Sequence, residues 1–370
     1  MNTAIEITNS LLHVQIEVTP PPPYPDPSFS NVQYAYYLHK DDAVAEKKWY
    51  SESREAGWKL TENGIYYVTT FVKDMETGKI KTFTSDKLRY IKGRNPEYLP
   101  FYQLEEMEMT NCCNLSCQNC CTPTSRYPRG FIDDGTVLAA LSWTQAGQTL
   151  NYHRQGEPLL HKNLEKYIGW GVQAGIKPVI STNGILLTGE RLEELYRQGL
   201  RHLVFTLHTM DSLKSFCDAY AYLKKQNENL FHFNKRAASG LPSGSMFFAG
   251  KVLDFSDDVE QSRDVRQAIS QLPEEVKAFL AHTPVHTWAG NVENTRQNFQ
   301  EDVVAARQKQ CYFIQRHVVN MRWDGTIVGC CFDSENDNVL GHIRDFASLR
   351  PDIEKYRLCE HCDSNWAVGL

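Results

Sequence analysis

Cys113, Cys117 and Cys120 stand at the spacing C-x3-C-x2-C within Thr110-Asn-Cys-Cys-Asn-Leu-Ser-Cys-Gln-Asn-Cys-Cys121. Three thiolates this close in sequence can hold three corners of one inorganic cluster, and soft sulfur ligands select iron–sulfur or zinc. A structural zinc site wants four closed ligands. Three ligands instead leave the fourth iron of a 4Fe-4S cube open, as redox chemistry on a bound small molecule requires. A second group follows far downstream: Cys311, Gly325, Cys330, Cys359 and Cys362 form C-x13-G-x4-C, a gap, then C-x2-C. Four thiolates fill every iron of a cube, or close a zinc site equally well.

The elements that must position these groups alternate in period. Leu104-Glu-Glu-Met-Glu-Met-Thr110 reads as a strand running into the first cysteine loop. A strand over 149–153 leads into Gln155-Gly-Glu-Pro-Leu-Leu160. Residues 163–175 form a helix with Leu164, Tyr167, Ile168 and Val172 on one face and Gly175 as its stop. A strand over 176–182 ends in Ser181-Thr-Asn-Gly184, a helix follows over 188–199 with Thr188 as its cap, then a strand over 201–207. Repeated strand–helix units imply a parallel sheet wrapped by helices, with ligands bound beyond the carboxyl ends of the strands. Ser181, Thr182 and Asn183 occupy such an end, although Asn183-Gly184 also reads as a simple turn. From Asp211 to Gly244 the pattern dissolves. A strand over 246–253 and the segment 281–290 complete the α/β region.

Residues up to about 92 differ in texture. Short β-rich runs at 13–18, 32–38, 57–60, 64–72 and 79–83 are separated by Pro20–Pro25 and by turns such as Asp41-Asp42 and Thr77-Gly78. That spacing suits an all-β, immunoglobulin- or fibronectin-like sandwich over 1–92, with Tyr34, Tyr36, Tyr37, Tyr66 and Tyr67 in its core. The 370 residues suffice for two or three cores, and a net charge of -6 argues against a nucleic-acid surface. No run approaches the ~18 apolar residues of a membrane span. Eleven cysteines without a visible export signal point to metal ligation in a cytoplasmic protein rather than to disulfides.

Strand, then Glu108-Met-Thr110, then Cys113-Asn-Leu-x-Cys117-x-x-Cys120 closely resembles the cluster loop of radical S-adenosylmethionine (radical SAM) enzymes. Gln155-Gly-Glu-Pro resembles the family's G-G-E-P segment, with Gln155 standing where its first glycine usually is. The resemblance implies a partial (β/α) barrel over 98–300. In it, a 4Fe-4S cluster on Cys113, Cys117 and Cys120 would bind S-adenosyl-L-methionine. Gly156, Glu157, Ser181, Thr182 and Asn183 would be cofactor contacts. The family commonly places an aromatic residue before the third cysteine; here Asn119 keeps the backbone contact without the stacking. The C-terminal pattern, with Val339-Leu-Gly-His-Ile-Arg-Asp345, resembles the SPASM/twitch auxiliary-cluster domain. Because the chain ends at Leu370, it implies the shorter twitch form over 301–370, with one auxiliary 4Fe-4S cluster on Cys311, Cys330, Cys359 and Cys362. Zinc remains the structural alternative there.

The function so implied is reductive cleavage of S-adenosylmethionine to a 5′-deoxyadenosyl radical, which abstracts hydrogen from a small polar or sugar-like substrate. Net oxidation or epimerisation follows. A reductant such as flavodoxin or ferredoxin is the implied partner, and the sandwich would dock a glycan or carrier. Maturation of a ribosomally made peptide is the alternative enzyme reading, and a zinc-stapled binding scaffold the non-enzymatic one. Cys112, Cys121, Cys217 and Cys331 are left over. Cys331, next to a ligand, should point away from it if its strand continues.

Overall fold

The computed structural model describes residues 2–8, 11–17, 31–92, 97–117, 120–226, 245–254, 260–284, 288, 311–350, 358, 359 and 362. It divides into two compact units, Met1–Tyr102 with Asp345–Ile353, and Gln103–Arg344 with Glu354–Leu370. Among the described residues no helix is long and apolar enough to cross a membrane.

The first unit holds β1 (Asn2–Thr8), β2 (Leu11–Glu17), β3 (Val32–Lys40), β4 (Ala43–Ser51), β5 (Glu55–Lys59), β6 (Gly64–Asp74), β7 (Ile80–Thr84), β8 (Lys87–Tyr90) and β9 (Glu97–Leu99). They pair into two sheets, β1-β2-β5 and β4-β3-β6-β8-β9, with β7 also on β6. Asp41 and Asp42 both take positive φ (50° and 65°), the geometry of a two-residue hairpin turn between β3 and β4. Alternation along β3 and β6 sends Tyr34, Tyr36, Leu38, Val68 and Val72 into one core with Leu12 of β2 and Trp58 of β5. Tyr66 and Tyr67 are buried as well, whereas Tyr37 is half-buried. The proline run at 20–25 lies outside the described residues.

In the second unit β10 (Gln103–Met107), β11 (Thr149–Asn151), β12 (Lys177–Thr182), β13 (His202–Leu207), β14 (Phe247–Asp254) and β15 (Leu280–Pro284) are successive parallel neighbours. Helices α1 (Asp134–Ser142), α2 (Leu164–Gln173), α3 (Gly189–Arg197), α4 (Met210–Gln226) and α5 (Glu260–Ser270) fall between them. On the other edge, β16 (Val318–Met321) pairs parallel with β10. Then β17 (Thr326–Val328) and β18 (Val339–His342) extend the same sheet antiparallel. The hairpin expected at Asp324-Gly325 therefore exists, with Gly325 at φ +90°.

One face of this sheet is apolar. Met107, Tyr152, Ile180, Phe205, Phe248 and Met321 are all buried on it. The other face carries Glu106, His153, Ser181, Thr206, Lys251 and Asn320, by strand alternation and by the registers Glu106↔Asn320 and Thr206↔Lys251. Glu106 and Lys251 sit four strands apart, about 19 Å in a flat sheet. Yet Lys251 lies within electrostatic reach of both Glu106 and His153. The sheet must curl, bringing the two ends of the polar face together.

Helix α4 corrects the expectation that order dissolves after Asp211. Leu213, Phe216, Ala219, Tyr220 and Leu223 recur at helical spacing and are buried. Thr209 and Ser212 exchange side-chain-to-backbone hydrogen bonds at its start, Ser212 N to Thr209 Oγ1 at 3.1 Å and Thr209 N to Ser212 Oγ at 2.9 Å. The interleaved Lys, Asp and Ser residues hide the stripe in the sequence.

Candidate functional site

The first cysteine loop leaves β10 and is closed on itself by side chains that its own sequence supplies. Thr110 Oγ1 donates to Gly130 O at 2.6 Å and accepts from Cys112 N at 3.0 Å. Asn111 donates to Pro128 O and accepts from Gly130 N, each at 2.9 Å. Arg129 donates to Asn111 O at 2.7 Å and also to Thr122 O. Arg129 and Asn111 carry no chemistry of their own, and the sequence offered no signal for them.

Cys113 is exposed, and Cys117 and Cys120 are half-buried. The Cys121 thiol and the Thr122 N–H both donate to Cys120 sulfur, pulling its pKa down to about 6. Burial pushes Cys117 up to about 12, with the charges of Cys120 and Cys113 adding to it. Although the residue is exposed, partial desolvation of its sulfur also raises Cys113, next to the charges of Glu157 and Cys120. So the three sulfurs sense one another, and a bound cation would reverse the cost of ionising them together. Among the described residues no three His, Cys, Asp or Glu side chains stand closed as a metal site. Thiolate sites assemble on their metal, and a soft three-sulfur set whose members lie within electrostatic reach of one another fits an iron–sulfur cube.

The Gly156-Glu157 turn locks onto this loop. Gly156 has φ +76°, and a Cβ there would stand 2.5 Å from both Thr110 O and Cys112 O. Glu157 N donates to Cys112 O at 2.7 Å. The close approach thus falls on Gly156, which leaves room for Gln155 in place of a glycine. The buried Glu157 carboxylate accepts from Leu159 N (2.9 Å), Thr182 Oγ1 (2.6 Å) and Asn183 N (2.8 Å). Burial raises its pKa despite these donors. Asn183 Nδ2 donates to Asn114 Oδ1 at 2.8 Å, joining the end of β12 to the cysteine loop. Gly156, Glu157, Thr182 and Asn183 therefore converge on the cysteines. Ser181 points to the polar face, where its N–H meets His153 Nδ1 at 3.0 Å and its hydroxyl meets Thr206 Oγ1 at 3.1 Å. Asn119 lies outside the described residues.

Residues 107–236 match the Radical SAM superfamily. They are a radical SAM domain. Proteins of this superfamily use a 4Fe-4S cluster and S-adenosylmethionine. The chain is 32% identical over 113 residues to the S-adenosyl-L-methionine-dependent 2-deoxy-scyllo-inosamine dehydrogenase of Niallia circulans, covering 29% of this chain and 45% of that protein. It is 25% identical over 172 residues to the PqqA peptide cyclase of Streptomyces rochei, covering 42% and 45%. The chain thus spans less than half the length of these curated relatives. A crystal structure of BtrN in complex with AdoMet and 2-DOIA aligns with TM-score 0.42 and 19% identity, over 71% of this chain and 93% of that one.

Beyond the radical SAM domain, the second cysteine group is set by a different framework. Cys311 precedes a short helix, Tyr312–Gln315, and lies within electrostatic reach of Cys330. Phe332 and Leu358 pack together with Cys330 and Cys331 against them, and Cys362 N donates to Cys359 O at 3.4 Å. Buried charges brace the region. Arg154 pairs with Glu108 at 3.4 Å and donates to Asp333 O, and Arg322 pairs with Asp333 at 3.3 Å. Asp333 also accepts from the N–H groups of Glu335, Asp337 and Asn338. Cys331 would point away from Cys330 only if its strand continued; β17 ends at Val328, so alternation does not set its direction, and both cysteines are partly buried against Phe332 and Leu358.

Proposed function

We propose that this protein is a radical SAM dehydrogenase of a small polyhydroxylated substrate. The observation that carries the reading is the Cys113–Cys120 loop, pinned by Gly156-Glu157 and the end of β12 inside a radical SAM domain. Cys113, Cys117 and Cys120 would hold the cluster. Glu157 Oε1 already has two donors, so Oε2 is the oxygen left to take the ammonium of S-adenosylmethionine. Ser181, Thr182 and Asn183 border the same strand end, and Asn119 would offer its backbone. When bound, the cluster and S-adenosylmethionine supply a carbon-centred hydrogen-atom acceptor; this chain binds, orients and excludes side reactions.

Cys311, Cys330, Cys359 and Cys362 would hold the auxiliary cluster that takes up the second electron. Oxidation is favoured over epimerisation by the likeness to the Niallia circulans dehydrogenase. The substrate class rests on the likeness to the Niallia circulans enzyme. Domain limits of 1–92, 98–300 and 301–370 go with this reading, the first an immunoglobulin-like module that recruits the substrate. A flavodoxin or ferredoxin would supply the reducing electron, in the cytoplasm.

The deciding experiment uses anaerobically reconstituted protein with dithionite, S-adenosylmethionine and 2-deoxy-scyllo-inosamine as a probe polyol. We expect 5′-deoxyadenosine without the probe and a ketone with it. Stoichiometric zinc and no 5′-deoxyadenosine would sink the enzyme reading.

A further inference from the structure

The polar face of the curled sheet holds groups that cluster binding leaves unused. Glu106 and His153 are half-buried on it, so each keeps accessible surface towards the recess that the curl encloses. Lys251 reaches the same space from β14, and Ser181 and Thr206 share a hydrogen bond between them. Asn320, with its amide oriented by its bonding partners, donates to Glu106 Oε2 at 3.1 Å and accepts from Cys331 N at 3.0 Å. The recess therefore presents a carboxyl, an ammonium and two hydroxyls from four strands, and an imidazole from His153 just past the end of β11. A TIM-type barrel interior is normally filled with branched apolar side chains. A packed core has no use for these groups, whereas a ligand carrying several hydroxyls can satisfy them all.

Oxidising a secondary alcohol to a ketone removes a hydrogen atom from carbon, a proton from oxygen and an electron. Under the proposed function, the hydrogen atom goes to the carbon radical derived from S-adenosylmethionine and the electron to an iron–sulfur centre. The proton needs an acceptor in the recess. We propose that this recess binds a polyhydroxylated small molecule and that Glu106 accepts the proton of the hydroxyl being oxidised. The C–H and O–H bonds break, and the C=O bond forms.

The neighbouring groups are unsuited to the task. His153 Nδ1 already accepts the Ser181 N–H, so that nitrogen is not open to take a proton from a ligand. Burial, aided by Lys251, depresses its pKa to about 3. Lys251 is a cation and has no lone pair to offer. Burial raises Glu106 to about 8; Glu105 and Glu108 push it further up, and Arg154 and Lys251 oppose them. A carboxyl tuned into the neutral range suits general-base work.

This inference rests on the dehydrogenase reading, so its test separates binding, hydrogen abstraction and ketone formation. Calorimetry without S-adenosylmethionine should show the same aminocyclitol probe binding to wild type and to Glu106→Gln. With probe deuterated at the reacting carbon, Glu106→Gln should still carry deuterium into 5′-deoxyadenosine. Its ketone formed per 5′-deoxyadenosine should fall about 100-fold. Glu106→Asp keeps the carboxylate one methylene further back and should fall between, which serves also if Glu106→Gln folds poorly. A wild-type ratio in either variant overturns the role of Glu106. A wild type that cleaves S-adenosylmethionine but binds no polyol overturns the recess assignment alone. A wild type that cleaves nothing overturns the dehydrogenase reading, and this inference with it.

Discussion

The two cysteine groups of the second unit are supported in different ways. Around Cys113, Cys117 and Cys120 the contacts are short and mostly to backbone: Glu157 N to Cys112 O, Gly156 against two carbonyls, Asn183 to Asn114. Around Cys330 they are buried charges, with the side chains of Arg322 and Asp333 wholly excluded from solvent. A short loop on a strand end needs only a few local bonds to hold its shape. Ligands drawn from positions 311 to 362 need a framework that persists over distant segments. A buried ion pair provides that, because each charge is costly without its partner. The first site should therefore fail locally and the second with the fold around it.

The largest effect expected is functional. Replacing Cys113, Cys117 and Cys120 together by Ala should abolish 5′-deoxyadenosine formation and leave about four of about eight irons, as iron and sulfide assays would read. Loss of all iron would show that the two sites are not independent. Asp333→Ala comes next, since it strands Arg322 in a dry site. Urea unfolding should show a loss of about 3–5 kcal/mol, together with selective loss of iron from the second group. A mild change would mean that water reaches the pair.

Gly156→Ala should cost about 1–3 kcal/mol, because φ +76° and the carbonyls 2.5 Å away both oppose a side chain. Its damage should appear as lost cofactor binding, with the second group's iron retained. Acid sensitivity gives a smaller and graded test. His153 is neutral when folded, with a pKa of about 3 against an ordinary 6.5. Its contribution is therefore full above pH 6.5 and is lost as pH falls from there towards 3. His153→Asn should flatten stability over that window; an identical acid profile would place the histidine in water. Smallest is Thr182→Val. It removes one donor from Glu157 and should weaken S-adenosylmethionine binding by about 0.5–1.5 kcal/mol, with no effect on the second group.

Much of this was legible in the chain because it depends on spacing along it. Three thiols in one loop, a glycine before Glu157 and alternating strand–helix periods are local properties, and the strands from β10 to β14 fall where the periods place them. Helix α4 was hidden by polar residues between its buried positions, although Leu213, Phe216 and Leu223 keep the helical interval. The direction of Cys331 was not legible because alternation holds only while a strand lasts, and β17 ends before it.

By itself the sequence determined the sulfur chemistry and the order of elements, since ligand type and hydrophobic period are carried by neighbouring residues. Only the tertiary structure decided that Glu106 and Lys251, four strands apart, face one recess, and that Arg154 meets both Glu108 and Asp333. Such encounters depend on how far a sheet curls and which distant segments pack together, and no local period encodes either.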